Sequence, residues 1–273
     1  MYTNDFAKVN GTRLYYETIG EGEAIVLIHS SFTDLRLWDE QFDYFGKHFK
    51  VIRYDVRGFG KSDRPSELFS HFEDLKGLLD YFGIKKAHLM GVSMGGSIAI
   101  DFTLQYPELV ESLILSGPSL NGYKPIIDAL TKQMSLAGIS IARRDDNFNQ
   151  SIEFMLSSPI WRQSNLNKQK HLKNMFEDTS LEWALKDIDK TVSQPAVGRL
   201  SEITKRTLLI VGSNDSRPIK EVSKFLEVGI AKIEKVQING TGHLPNLDMP
   251  KEFNKIVLEF LTNGRKMNYS SKR

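Results

Sequence analysis

The chain has 273 residues, 40% of them hydrophobic and 26% charged, a composition that excludes a disordered, collagen-like or membrane-embedded class and suits one large domain with an elaborated insertion. It has no cysteine, which rules out disulfides, thiolate metal sites and a cysteine nucleophile. Its 36 Lys and Arg balance 34 Asp and Glu, and four of the bases (Arg265, Lys266, Lys272, Arg273) lie in the acid-free last ten residues, so the body offers no bulk attraction to nucleic acid or anionic lipid.

The N-terminal MYTNDFAKVNG has no basic start before an apolar run, and no stretch approaches the ~18 continuous apolar residues of a membrane span. The sequence therefore predicts a cytoplasmic protein without a membrane partner. Thr12–Glu17 reads as part of an N-terminal hairpin. Ala24–Ile28, Val51–Tyr54, Ala87–Met90, Leu113–Leu115, Thr207–Val211 and Ile233–Ile238 read as strands, the near-continuous apolar runs among them as buried on both faces. Between them, Phe72, Leu75, Leu79 and Phe82 share a helical face behind a Ser70-x-x-Glu73 capping box. Pro250 suits the first turn of a last helix whose stripe is Phe253, Ile256, Val257, Phe260 and Leu261. This alternation predicts an α/β fold, a mostly parallel sheet with helices on both faces.

Residues 119–196 break the alternation with helical patterns and no strand run. Their apolar side chains include Ile126, Leu130, Met134, Ile139, Phe148, Met155, Trp161, Met175, Phe176 and Trp183. A helical cap over the carboxyl edge of the sheet is expected, because ligands of open α/β sheets bind there. The expected organisation is a core of residues 1–118 and 197–264, a cap of 119–196 and a flexible basic tail of 265–273, frayed from Gly264.

Gly91-Val92-Ser93-Met94-Gly95 follows a strand and opens a helical pattern. A serine on so tight a turn takes an unfavourable backbone conformation, and glycines two residues to either side remove the Cβ atoms that would clash. The turn lifts the hydroxyl clear of the backbone and aims the Met94 N–H and the helix N-terminus at the place where an oxyanion would form. A hydroxyl needs a base. His243, in Gly240-Thr241-Gly242-His243-Leu244-Pro245 past the last strand, is the best placed of six histidines; His88 reads as core, and His48, His71 and His171 as solvent-exposed. Asp215, in the turn after Thr207–Val211, is placed to fix the imidazole, although alone it would read as a helix cap. Ser93, Asp215 and His243 stand in the chain order of one hydrolase fold. His29-Ser30-Ser31-Phe32 leaves Ala24–Ile28 where a second oxyanion donor is needed, and the Ser31 N–H is the candidate.

With IVLIHSS, the Tyr54–Ser62 turn, GVSMGG, LLIVGSND and GTGHLPNLDMPKEF, the chain resembles the α/β-hydrolase superfamily with a helical cap over nearly its whole length apart from the lid. The resemblance implies a Ser93–His243–Asp215 triad and an oxyanion hole of the Ser31 and Met94 amides; no pair of histidines has metal-ligand spacing and no HExxH or complete GxGxxG appears, so no metal or cofactor is expected. Members commonly carry His-Gly where this chain has His29-Ser30. Arg57-Gly58-Phe59-Gly60-Lys61-Ser62 ends like a phosphate-binding loop, but Asp55 stands where that pattern needs glycine; Asp55 and Arg57 are expected to organise loops. The expected activity is hydrolysis of a small to medium ester or lactone through an acyl-enzyme, in an enol-lactonase and carboxylesterase-like layout, with Phe32, Trp161 and Leu244 as substrate contacts and a monomer or homodimer as the assembly. A carbon–carbon bond hydrolase of ring-fission products shares the three residues, although many such enzymes place tryptophan where Leu244 stands. Cofactor-free haloperoxidase-type activity uses the same machinery, and a hydrolase-like small-molecule receptor would retain the triad with very slow turnover.

Overall fold

The computed structural model describes residues 2–123, 148–158, 160–163, 165–178, 191–192 and 194–270. Its strands are β1 (Thr3–Val9), β2 (Thr12–Ile19), β3 (Ala24–Ile28), β4 (Lys50–Tyr54), β5 (Ala87–Val92), β6 (Val110–Ser116), β7 (Arg206–Gly212) and β8 (Ile233–Ile238). They form a sheet in the order β1-β2-β4-β3-β5-β6-β7-β8. Asn10 and Gly11, both at positive φ, turn β1 onto β2, and β2 pairs antiparallel with β4. From β4 to β8 every pairing is parallel. All five residues of β3 are buried, as its unbroken apolar run requires in a sheet covered on both faces.

On one face lie α2 (His71–Tyr81), α3 (Met94–Gln105) and α6 (Arg217–Gly229), which send Leu75, Leu78, Leu79, Ile98, Phe102, Val222 and Leu226 into one apolar cluster. On the other lie α1 (Asp39–Phe45) and α8 (Pro250–Ser270), with Phe42, Phe45, Phe253, Val257, Phe260 and Leu261. Between β6 and β7 the chain leaves the sheet and returns; in that stretch the described helices are α4 (Phe148–Ser157) and α5 (Leu166–Asp178). The cap residues Ile126, Leu130, Met134, Ile139 and Trp183, and the Phe148 side chain, lie outside the described residues. The short α7 (Pro245–Asp248) precedes α8. Among the described residues no helix is long and apolar enough to cross a membrane.

The connection order positions the site. After β3 the chain places β4 on one side and then crosses to β5 on the other, so the direction of strand addition reverses at β3 and the crevice outside the carboxyl ends of β3 and β5 is the topological switch point. Ser93 follows β5, and the His29–Phe32 loop follows β3.

Three sequence expectations need correction. Ser70 is the N-cap residue of α2, yet no capping box forms: its hydroxyl donates to the Val192 carbonyl at 2.8 Å and Glu73 accepts from the Tyr106 hydroxyl at 2.8 Å, distant partners that local spacing does not reveal. His71 is not solvent-exposed; its Nδ1 is buried without a hydrogen-bond partner, and burial followed by the charges of His29 and Arg57 holds its pKa down at about 3. The tail expected to fray from Gly264 continues α8 to Ser270, since one glycine costs a helix only ~1 kcal/mol and no proline follows; residues 271–273 lie outside the described residues.

Candidate active site

Ser93 sits at φ 54° and ψ −115°, a backbone conformation that side chains other than glycine rarely adopt. The turn closes because its flanking glycines permit contacts a Cβ would forbid. A Cβ on Gly91 would stand 2.2 Å from the Gly95 carbonyl oxygen, and one on Gly95 would stand 2.1 Å from the Ile28 oxygen at the end of β3. The elbow is thereby wedged against the β3 end, and Ser93 occupies the N-cap position of α3. The Ser93 N–H donates to the Ser116 carbonyl at 3.1 Å, and its own carbonyl accepts from the Ser119 N–H at 3.0 Å.

Asp215 and His243 meet in the same place. The loops that carry them are tied by the Asn214 N–H donating to the Thr241 carbonyl at 2.9 Å, and the Gly242 N–H donates to Asp248 Oδ2 at 2.9 Å. His243 Nδ1 lies 3.1 and 3.2 Å from the two Asp215 carboxylate oxygens, with both side chains almost wholly buried. That contact places the proton on Nδ1 and leaves Nε2 as the basic nitrogen. Asp215 Oδ1 also accepts from the Ser216 N–H, but Ser216 and not Asp215 is the N-cap residue of α6 and no side chain caps that helix, so the helix-cap reading of Asp215 does not hold. Gly117 joins the two halves of the site: it follows Ser116, the partner of Ser93, and a Cβ on it would stand 3.0 Å from Asp215 Oδ2 and 3.1 Å from His243 Nδ1. Among the described residues Ser93 Oγ makes no hydrogen bond with His243 at rest, a contact that often tightens only when substrate is bound. The Ser116–Ser119 turn, which supports both halves, was not singled out from sequence; its Ser-Gly-Pro-Ser run directly after a strand was the available signal.

The β3 loop is fixed from within. His29 Nδ1 donates to the Ser30 carbonyl at 2.7 Å and its Nε2 accepts from the Val56 N–H at 2.9 Å. Burial lowers its pKa to about 4, so it stays neutral and serves as a strut. Thr33 donates its hydroxyl to the same Ser30 carbonyl at 2.8 Å. Among the described residues the Ser31 and Met94 N–H groups donate to no protein acceptor. Asp55 accepts from the Leu35 and Lys61 N–H groups at 2.8 Å each, and burial, with the charge of Asp34, pushes its pKa up to about 7. Arg57 is paired in the interior with Asp74 at 2.6 Å, so both residues organise loops.

Aromatic rings from the β6–β7 insertion close over the histidine. The Trp161 centroid is 6.0 Å from that of His243 and 6.4 Å from that of Phe32, and Phe176 of α5 stacks on Phe32 at 5.9 Å. Phe32 and Trp161, the predicted substrate contacts, are thus brought to the site. Leu244, the third, has no exposed surface and lies in the apolar cluster with Leu247 and Phe253. Phe176 carried no sequence signal beyond its place in an apolar stripe. Among the described residues no group of three or more His, Asp or Glu side chains is disposed to hold a metal ion.

A family model for the alpha/beta hydrolase fold matches residues 23–250. A 2-hydroxy-6-oxononadienedioate/2-hydroxy-6-oxononatrienedioate hydrolase from Burkholderia vietnamiensis is 31% identical, the alignment covering 95% of this chain and 94% of that one. A 2-hydroxy-6-oxo-6-phenylhexa-2,4-dienoate hydrolase from Comamonas testosteroni is 27% identical, with coverage of 95% and 96%. Among solved structures, the enol-lactonase from Burkholderia xenovorans superposes with a TM-score of 0.82 at 25% identity, covering 94% of this chain and all of that one. Bromoperoxidase from Bacillus anthracis gives a TM-score of 0.82 at 26% identity, covering 95% of this chain and 100% of its own.

Proposed function

The chain belongs to the alpha/beta hydrolase family and is a hydrolase, and from that premise we propose that it hydrolyses the carbon–carbon bond beside the ketone of a 2-hydroxy-6-oxo dienoate. The observation that carries this reading is the 31% identity, over 95% of the chain, to an enzyme named for that reaction. It displaces the ester or lactone as first choice.

The chemistry asks two things of the site. Cleaving a bond to carbon needs a stabilised carbanion as leaving group, which the substrate supplies once its 2-hydroxyl ketonises and C5 takes up a proton, leaving C5 conjugated through the C3–C4 double bond to a ketone. The site then supplies a nucleophile and an oxyanion hole. In the proposed sequence Ser93 Oγ adds to the C6 ketone as its proton passes to His243 Nε2, and the Ser31 and Met94 N–H groups hold the oxyanion. The C5–C6 bond breaks, its electrons go to the dienolate, and the dienolate takes up the proton. Water, deprotonated by His243, frees the carboxylic acid from Ser93. Asp215 steadies the imidazolium in both halves.

Two observations keep the ester or lactone as a second reading: Leu244 stands where many carbon–carbon hydrolases have tryptophan, and the enol-lactonase shares the fold at 25% identity. A single experiment separates the two. The protein is given 2-hydroxy-6-oxo-6-phenylhexa-2,4-dienoate and, in parallel, nitrophenyl esters and lactones of increasing chain length, with Ser93→Ala as the control. Release of benzoate with loss of the dienone absorbance, faster than turnover of any ester, is the expected result. Turnover of esters alone would overturn the carbon–carbon reading and leave the second.

A further inference from the structure

We propose that Gln163 is a specificity-determining residue, whose carboxamide receives a hydroxyl-bearing carboxylic acid end of the substrate through paired hydrogen bonds. Gln163 is 7% exposed, and among the described residues neither its Oε1 nor its Nε2 has a hydrogen-bond partner. Among the described residues it is the side-chain amide with both polar atoms enclosed and unpaired; Gln41 and Asn246 each leave only an oxygen without a partner. Burying such a group opposes folding, and proteins rarely retain one without a use for it.

Its position indicates that use. The Trp161 and Arg162 N–H groups both donate to the Ser158 carbonyl, a turn that ends at Gln163, and within it Trp161 and Gln163 are buried while Arg162 is exposed. Trp161 lies against the His243 ring, and the Arg162 carbonyl comes within 3.9 Å of where a Cβ on Gly242 would be. Gln163 is therefore two residues along the chain from the tryptophan that covers the proposed base. Its own N–H donates to Gln169 Oε1 of α5 at 2.7 Å, which fixes its backbone and leaves the side chain free for a ligand.

A carboxamide presents an acceptor beside a donor, so its complement presents a donor beside an acceptor. A hydroxyl adjacent to a carboxylate fits: the O–H donates to Gln163 Oε1 while a carboxylate oxygen accepts from Nε2. A bare carboxylate satisfies only half of the amide. This assignment rests on the proposed reading only in taking His243 to mark the reacting end of the substrate, with the hydroxy acid several bonds away.

The test reads binding and not turnover. Titration calorimetry compares 2-hydroxypenta-2,4-dienoate with penta-2,4-dienoate, which lacks the hydroxyl, on the wild-type protein and on Gln163→Leu. The wild type is expected to prefer the hydroxy acid by about 10–100-fold, and the variant to lose that preference while its thermal midpoint holds or rises. Should Gln163→Leu fail to fold, Gln163→Met, closer in shape, replaces it. Equal affinity of the wild type for the two acids, or a preference that survives the substitution, would overturn the proposal. Carbon–carbon cleavage is not measured, so a protein that discriminates the hydroxyl without cleaving the dienoate upholds Gln163 while the proposed function falls.

Discussion

At Ser93 the conformation that presents the hydroxyl works against stability. A non-glycine residue at φ 54° and ψ −115° stores roughly 1–3 kcal/mol, which the Gly91 and Gly95 contacts and the hydrogen bonds to Ser116 and Ser119 must offset. Ser93→Ala keeps the Cβ and hence the strain, whereas Ser93→Gly releases it. Both are expected to lose turnover by at least ~10⁴-fold, and the glycine protein is expected to be about 1 kcal/mol more stable than the alanine protein in paired thermal melts. A glycine protein that melts below the alanine one would show that the elbow is unstrained. Gly95→Ala tests the same geometry from the opposite side. Its Cβ meets a backbone oxygen at 2.1 Å, which cannot move without displacing β3, so a loss of about 3 kcal/mol or failure to fold is expected in denaturant titration.

Between elements, the β6–β7 insertion is held at its root by Asp101 on α3. The Asp101 carboxylate accepts from Asn121 Nδ2, and the Asn121 carbonyl accepts from the Ala196 and Val197 N–H groups, which ties the chain leaving the sheet to the chain returning. Burial raises the Asp101 pKa from 3.8 to about 7, with the Asn121 hydrogen bond and Arg199 opposing. A carboxyl that holds its proton more tightly folded than unfolded favours the fold fully below the unfolded pKa, and that advantage is lost as pH rises from about 4 to about 7. Asp101→Asn keeps an acceptor for Asn121 and removes the charge, so it should flatten the stability profile across that window and gain about 1–2 kcal/mol at pH 8, read from melts across pH. Farther out, α5 docks by Leu172, Met175 and Phe176, all fully buried, and Phe176→Ala should cost ~3–5 kcal/mol, while the partly exposed Arg36–Asp178 pair adds little. Which elements exist was legible in the sequence because buried parallel strands read as unbroken apolar runs: all six predicted runs are strands, extended by a residue or more at several ends. The Ser70–Glu73 box and the exposed His71 were misread for one reason. A pattern in sequence fixes which groups can bond locally, and Val192, Tyr106, His29 and Arg57 reach these residues from elsewhere in the chain. The elbow was legible because its requirement is local, glycine where a Cβ would strike backbone; Gln163 was not, since an unpaired amide exists only once the tertiary structure encloses it.

At the scale of the whole molecule, two places among the described residues bring a serine and a histidine together, one at each edge of the sheet, and comparing them shows what the fold adds to contact. At the amino edge His88 Nδ1 lies 2.8 Å from Ser112 Oγ, and His88 Nε2 is 3.8 Å from the Glu23 carboxylate. By hydrogen bonding alone that trio is more tightly joined than Ser93 and His243, between which the described residues show no hydrogen bond. Yet Ser112 is 3% exposed inside β6, where His88 pairs with it across the sheet, and it does not stand at the start of a helix as Ser93 does. Ser93 stands at the carboxyl edge, where the reversal of strand order opens a crevice and where, among the described residues, the Met94 and Ser31 amides have no protein acceptor. A fluorophosphonate probe is therefore expected to label Ser93 and leave Ser112 unmodified. Peptide mass spectrometry of the labelled protein checks both at once: Ser93→Ala should abolish labelling and Ser112→Ala should leave it intact, whereas adduct on Ser112 would mean that serine–histidine contact suffices without the elbow.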